Sequence, residues 1–180
     1  MPRQKRSAAL KKNESELWDY ALRALGRREL STADMRARLI RHAKADADVE
    51  AVLARLKEAG YLNDQRFAEH YAELRLEREG HGRQRVFRDL LQRRVTGEIA
   101  AKAVASAFQD ADEVTLIEQF LARKYRRVDL SLHLKSETNL ASVYRRLRYA
   151  GFGAANCLKV LRRYTGRAED LVDMGEGETD

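Results

Sequence analysis

A chain of 180 residues with 44% hydrophobic and 35% charged residues can form one ordinary domain or several small subdomains, with little apolar material for one large central core. Its formal charge of +7 is uneven: +4 lies on residues 1–15 and −6 on the stretch from Glu169 to Asp180, which leaves +9 on residues 16–167 and favours a polyanionic partner such as nucleic acid. The single Cys157 excludes an internal disulfide, no apolar run approaches the ~18–20 residues that cross a bilayer, and Ala8-Ala9-Leu10 runs into Lys11-Lys12 without a signal-peptide core, so a cytoplasmic protein with no membrane partner is expected.

Residues 1–16 read as a flexible basic tail. After Pro2 there is no proline to interrupt helices, and the apolar residues recur every three or four positions. The stripes, in order, are Leu17-Trp18-Ala21-Leu22-Leu25, Met35-Leu39-Ile40, Val49-Val52-Leu53-Leu56, and Phe67-Ala68-Tyr71-Leu74. They continue with Val86-Phe87-Leu90-Leu91, Ile99-Ala103-Val104-Ala107, Leu116-Ile117-Phe120-Leu121, Leu140-Val143-Tyr144-Leu147 and Ala154-Cys157-Leu158-Leu161. These nine stripes predict nine helices. Ser31 with Asp34 predicts a capping box for the second, Asp46 or Asp48 can open the third, and Asn63-Asp64 opens the fourth. Gly60-Tyr61 after Leu56, and Gly151-Phe152 after Leu147, have the spacing of Schellman stops, with Tyr61 able to pack on Leu56.

Leu39, Leu90 and Leu147 hold equivalent places near the ends of every third helix. The fold class is therefore all-α, three tandem three-helix (helix-turn-helix-like) repeats in an elongated, curved array. The repeats cover 17–62, 63–110 and 111–166, with a longer connection around Asp129 to Thr138. Residues 167–180 read as an acidic, disordered tail.

No constellation of catalytic residues is present. His42, His70, His81 and His133 fit no metal-ligand spacing, and Cys157 sits within an apolar stripe as a core residue. Gly151-Phe152-Gly153-Ala154-Ala155-Asn156 follows a helix and lacks the third small residue of a dinucleotide fingerprint. Glu77 and Glu79 lie among arginines as salt-bridged surface. The expectation is a binding protein, not an enzyme, with no cofactor and no metal. The recurrent signal is arginine on the middle helix of each repeat: Arg36, Arg38 and Arg41; Arg83, Arg85, Arg88, Arg93 and Arg94; Arg145, Arg146 and Arg148. Lys159, Arg162 and Arg163 follow on the last helix. Guanidinium groups suit bidentate pairing with phosphate or carboxylate. Surface pairing such as Arg66 with His70 or Glu69 accounts for part of this charge. The third helices, mixed in charge or mostly alanine, lack the Arg, Asn and Gln of a base reader, which argues against sequence-specific DNA recognition.

Particular strings carry a resemblance. Arg27-Arg28-Glu29-Leu30-Ser31 leads into a helix containing Arg38-Leu39. Leu56-Lys57-Glu58-Ala59-Gly60-Tyr61-Leu62-Asn63-Asp64-Gln65-Arg66-Phe67-Ala68 follows, and then Gly80-His81-Gly82-Arg83-Gln84-Arg85-Val86. Over residues 17–165 the chain resembles the RecX family, regulators of the bacterial RecA recombinase. Arg94-Val95 departs from that family's glycine before a β-branched residue, so Arg94 is expected to take a left-handed conformation at some cost. The resemblance implies a monomeric modulator, mainly an inhibitor, that binds RecA and the RecA–DNA filament. It would limit filament extension, ATP hydrolysis, strand exchange and co-protease activity, with weak, non-specific affinity for single- or double-stranded DNA. The motif residues Gly60, Tyr61, Asp64, Arg66 and Phe67 read as the joint between the first two repeats. A non-sequence-specific DNA-binding protein acting on nucleic acid directly is the alternative.

Overall fold

Asn13 accepts a hydrogen bond from the Glu16 N–H at 3.0 Å, and the Glu16 carboxylate accepts one from the Asn13 N–H at 2.9 Å, a reciprocal cap that starts the first helix. From there the computed structural model, which describes residues 11–165, is helical in all its named elements. They are α1 (Glu14–Leu25), α2 (Thr32–His42), α3 (Asp46–Glu58), α4 (Asp64–Leu74), a π-helical extension (Arg75–Glu79), α5 (Arg83–Gln92), α6 (Gly97–Ala107), α7 (Glu113–Lys124), α8 (Leu130–His133), α9 (Glu137–Tyr149) and α10 (Ala154–Leu161). The expected flexible tail of residues 1–16 is shortened by the structure: Glu14, Ser15 and Glu16 already belong to α1, and Lys12 is bridged to Ala43, while residues 1–10 and the expected acidic tail lie outside the described residues.

Two elements were not anticipated. The Asp129 to Thr138 connection contains the four-residue α8, capped by the Asp129 carboxylate. The fourth helix runs on through a π turn to Gly80. Both are shorter than the window in which an apolar period can be read. No helix of the described residues is long and apolar enough to cross a membrane.

Apolar side chains gather into three clusters. The first joins Leu17, Met35, Leu39, Val52 and Leu56 from α1–α3; the second joins Phe67, Val86, Leu90, Ala100 and Phe108 from α4–α6 and their ends; the third joins Ile117, Leu121, Leu147, Phe152 and Val160 from α7–α10 and their connections. Leu39, Leu90 and Leu147 are each fully buried, worth about 2 kcal/mol apiece over an exposed side chain. The alanine-rich α6 packs Ala100 and Ala103 against α4, where small side chains permit close approach. Ile40 and Leu91 depart from the expected stripes: they are 48% and 41% exposed.

The helix ends follow the expected chemistry with local changes. Ser31 Oγ accepts from the Asp34 N–H at 3.1 Å, but the Asp34 carboxylate turns to Arg93 instead of closing the capping box. Ala45 is the N-cap of α3, and Asp46 and Asp48 sit in its first turn, where they favour the helix dipole. Gly60 (φ +72°) and Gly151 (φ +94°) supply left-handed residues, with Tyr61 N–H on the Leu56 carbonyl at 2.9 Å and Phe152 N–H on that of Leu147 at 3.2 Å. Arg94 takes φ +57°, and Val95 N–H reaches the Leu90 carbonyl at 3.2 Å, so α5 ends in the same motif without glycine. The Tyr61 ring meets Trp18 edge-on at 6.2 Å and stays 52% exposed. Asn156 and the Gly153 N–H both donate to the Glu113 carboxylate, an assignment that fixes the start of α10 to the start of α7.

Candidate partner-binding surface

Several of the arginines build the joints between the three clusters. The carbonyl three residues beyond each reference leucine is the recurring acceptor. Arg93 O, three beyond Leu90, accepts from Ser31 Oγ at 2.8 Å; Ala150 O, three beyond Leu147, accepts from Gly82 N–H at 2.8 Å. Ser31 and Gly82 are the N-caps of α2 and α5, and Arg93 and Ala150 are the C-caps of α5 and α9. The start of α2 thus meets the end of α5, and the start of α5 meets the end of α9, each donor facing a helix-end carbonyl.

Around the first joint, the Asp64 carboxylate accepts from the Thr32 N–H at 2.7 Å, so an acid in the first turn of α4 also caps α2. Arg93 pairs with Asp34 at 3.2 Å and lies 4.9 Å from the Tyr71 ring; His70 pairs with Glu29 at 2.7 Å. Arg66 donates to the Gly60 carbonyl at 3.0 Å, while Gln65 pairs with Glu69, so the expected partnership of Arg66 with His70 or Glu69 is replaced by these contacts. Phe67 is buried in the second cluster. Gly60, Tyr61, Asp64, Arg66 and Phe67 are therefore gathered near one another. Tyr61, Arg66 and Phe67 also line a groove of about 500 Å³ with Leu22, Leu25 and Leu30.

The second joint is closer. A Cβ on Gly82 would lie 2.4 Å from Gly151 C and O, and one on Gly151 would lie 2.3 Å from Arg85 N. Gln84 N–H adds a bond to Gly151 O at 3.2 Å. Arg123 donates to the carbonyls of Arg78 and Glu79 at 3.4 and 3.0 Å, closing the end of the π turn. His81 lies beside Glu79, and burial, reinforced by Arg85, pulls its imidazole below the usual range. Burial pushes the Cys157 thiol up to about 12, which leaves it protonated and inert in the third core.

The structure divides the arginines by task. Arg83 donates to the Phe108 carbonyl, Arg88 to Tyr149 O at 3.5 Å, and Arg148 to Phe152 O at 2.5 Å. These side chains fasten backbone, and Arg93 serves the first joint. Arg36 pairs with Glu50 and Arg163 with Glu118. Arg85 lies 4.6 Å from the Tyr149 ring and Arg146 lies 5.7 Å from that of Tyr125. Arg41, Arg94, Arg145, Lys159 and Arg162 are exposed. Arg145 and Arg94 carry no ion pair among the described residues.

Two groupings emerge. Arg36, Arg41 and Arg94 surround Ala33, Ala37 and Ile40 in a cavity of about 530 Å³ across the first joint. Arg38 joins Arg23, Arg27 and Arg28 around Tyr20 in one of about 320 Å³. The second draws on α1 and its following turn, outside the arginine-rich middle helices, and the Arg27-Arg28 pair after Gly26 is its signal in the sequence. Tyr149, exposed beneath Arg85, is not among the expected site residues. It falls between the apolar positions of α9, and an aromatic off its helix stripe is the mark of an exposed ring.

A family model described as the second three-helix domain of RecX matches residues 63–104. The regulatory protein RecX of Deinococcus radiodurans is 31% identical over 154 residues, spanning 86% of this chain and 71% of that protein. That of Syntrophotalea carbinolica is 28% identical over 141 residues, 78% of this chain and 91% of that one. The crystal structure of RecX from Lactobacillus salivarius superposes with a TM-score of 0.63 at 17% identity, covering 84% of this chain and 96% of that one.

Proposed function

Because the chain belongs to the RecX family, we propose that it is a cytoplasmic, monomeric, non-enzymatic modulator of the RecA recombinase, mainly an inhibitor. It binds RecA and the RecA–DNA filament and limits filament extension, ATP hydrolysis, strand exchange and co-protease activity. Residues 17–62, 63–110 and 111–166 act as successive three-helix repeats. The observation that carries this reading is the end-to-end linkage of α2, α5 and α9, each bearing exposed arginines. A row of linked modules suits a target that is itself a repeating assembly, because each module can make a similar contact.

The test is DNA-dependent ATP hydrolysis by RecA. Suppression well below equimolar protein is expected, and unchanged hydrolysis at equimolar protein overturns the reading. Arg41→Glu with Arg94→Glu removes exposed positive charge without touching a joint donor and should weaken suppression.

A second reading, direct and non-sequence-specific DNA binding, is favoured by the +9 on residues 16–167. It requires tight binding without RecA and a steep loss of affinity with salt, as each phosphate contact releases counterions. If the double charge reversal loses RecA binding and keeps DNA binding, the first reading stands.

A further inference from the structure

Tyr149 is the last residue of α9 and its side chain is 69% exposed, while Leu140, Val143 and Leu147 of the same helix are buried. The guanidinium of Arg85 lies over the ring at 4.6 Å. Arg85 is loosely held otherwise: the Asp89 carboxylate stands 3.8 Å from its Nε, which is buried and has no hydrogen-bond partner. Arg88 donates Nε–H to the Gln84 carbonyl at 3.3 Å and reaches the Tyr149 carbonyl at 3.5 Å, which leaves its remaining N–H groups for a ligand. Arg145, four residues before Tyr149, lies on the same side of the helix and is exposed. An aromatic ring thus stands in solvent with a cation on one face and arginines of both joined helices around it. Asp89 is the acid paired within the group.

We propose that Tyr149, with Arg85, Arg88 and Arg145, forms a stacking site for a base of single-stranded nucleic acid. Arginines alone would serve any polyanion. The exposed ring adds a flat apolar surface that an unpaired base can cover, while the guanidinium groups meet the flanking phosphates. Paired bases in a duplex offer no free face, so the site distinguishes single from double strands. This deepens the DNA-contact part of the function proposed above and requires nothing of RecA.

The experiment measures binding of the full chain, without RecA, to a fluorescent thymidine oligomer of about 20 nucleotides. An abasic oligomer of the same length and charge and a duplex serve as comparison probes. Tyr149→Ala should weaken binding to the thymidine oligomer about tenfold. Tyr149→Phe should keep it within about twofold, because the ring and not the hydroxyl stacks. Binding of all proteins to the abasic strand and the duplex should be alike. Wild-type affinity in Tyr149→Ala, an equal loss on the abasic strand, or a loss in Tyr149→Phe as large as in Tyr149→Ala would each overturn the site. So would displacement of the oligomer by polyglutamate as readily as by unlabelled DNA of equal charge, since that marks a surface for acidic protein. The assay contains no RecA, so its failure leaves the filament reading standing.

Discussion

Where the first joint fills the Arg93 carbonyl with the Ser31 hydroxyl, the second fills the Ala150 carbonyl with the Gly82 backbone N–H. The side-chain route keeps the two backbones apart and recruits Asp34, Asp64, Glu29 and His70 to span the gap. The backbone route brings them into contact and leaves no room for a Cβ on either glycine. Substitutions can therefore weaken the first joint by degrees, while the second tolerates glycine alone.

The largest expected effect is at the second joint. Gly151→Ala adds a clash to an unfavourable left-handed conformation, and it should cost about 3 kcal/mol. Gly82→Ala should approach that value. Chemical denaturation, with hydrogen exchange followed in α5 and α9, reads both. A loss below about 1 kcal/mol would erase the contrast between joints.

Next is Ser31→Ala, which removes a helix cap and leaves the Arg93 carbonyl short of a donor. About 2 kcal/mol is expected. Threonine at the same position should recover most of it if the hydroxyl is what matters. Arg94→Gly should have the opposite sign, raising stability by about 1 kcal/mol as left-handed strain is relieved. A thermal melt that fails to rise would mean that Arg94 makes a compensating contact in the folded protein.

The smallest effect is a pH dependence at the second joint. The folded His81 imidazole lies below its ordinary value of 6.5, chiefly through burial, then through Arg85, with Asp89 opposing. The unfolded chain then binds the proton more readily. Its contribution to stability is complete above about pH 6.5 and declines as pH falls through the window beneath. His81→Gln should flatten that decline, and a slope that persists would locate the titrating group elsewhere.

The sequence announced the helices clearly, because an apolar residue every three or four positions has one physical meaning. It also placed three stops, at Gly60, Arg94 and Gly151, since a left-handed residue one position before an apolar one follows from helix-end geometry. The joints were hidden. Ser31 and Arg93 are 62 residues apart, and a hydroxyl donating to a distant carbonyl leaves no local pattern. Gly82 could be seen as part of a motif, but its reason lies in the backbone of Gly151. The structural share of the arginines was hidden as well. Charge predicts a search for anions, whereas Arg83, Arg88, Arg123 and Arg148 spend donors on helix-end carbonyls.

The carbonyl equivalent to Arg93 O and Ala150 O on α2 is that of His42, three residues beyond Leu39. It is already taken: Lys12 N–H donates to it at 2.7 Å, and Lys44 N–H returns a bond to Lys12 O at 2.9 Å. Lys12 thus works as an end-stop, occupying the socket into which another helix start would fit. Without it the His42 carbonyl would be an open acceptor of the kind that the two joints fill.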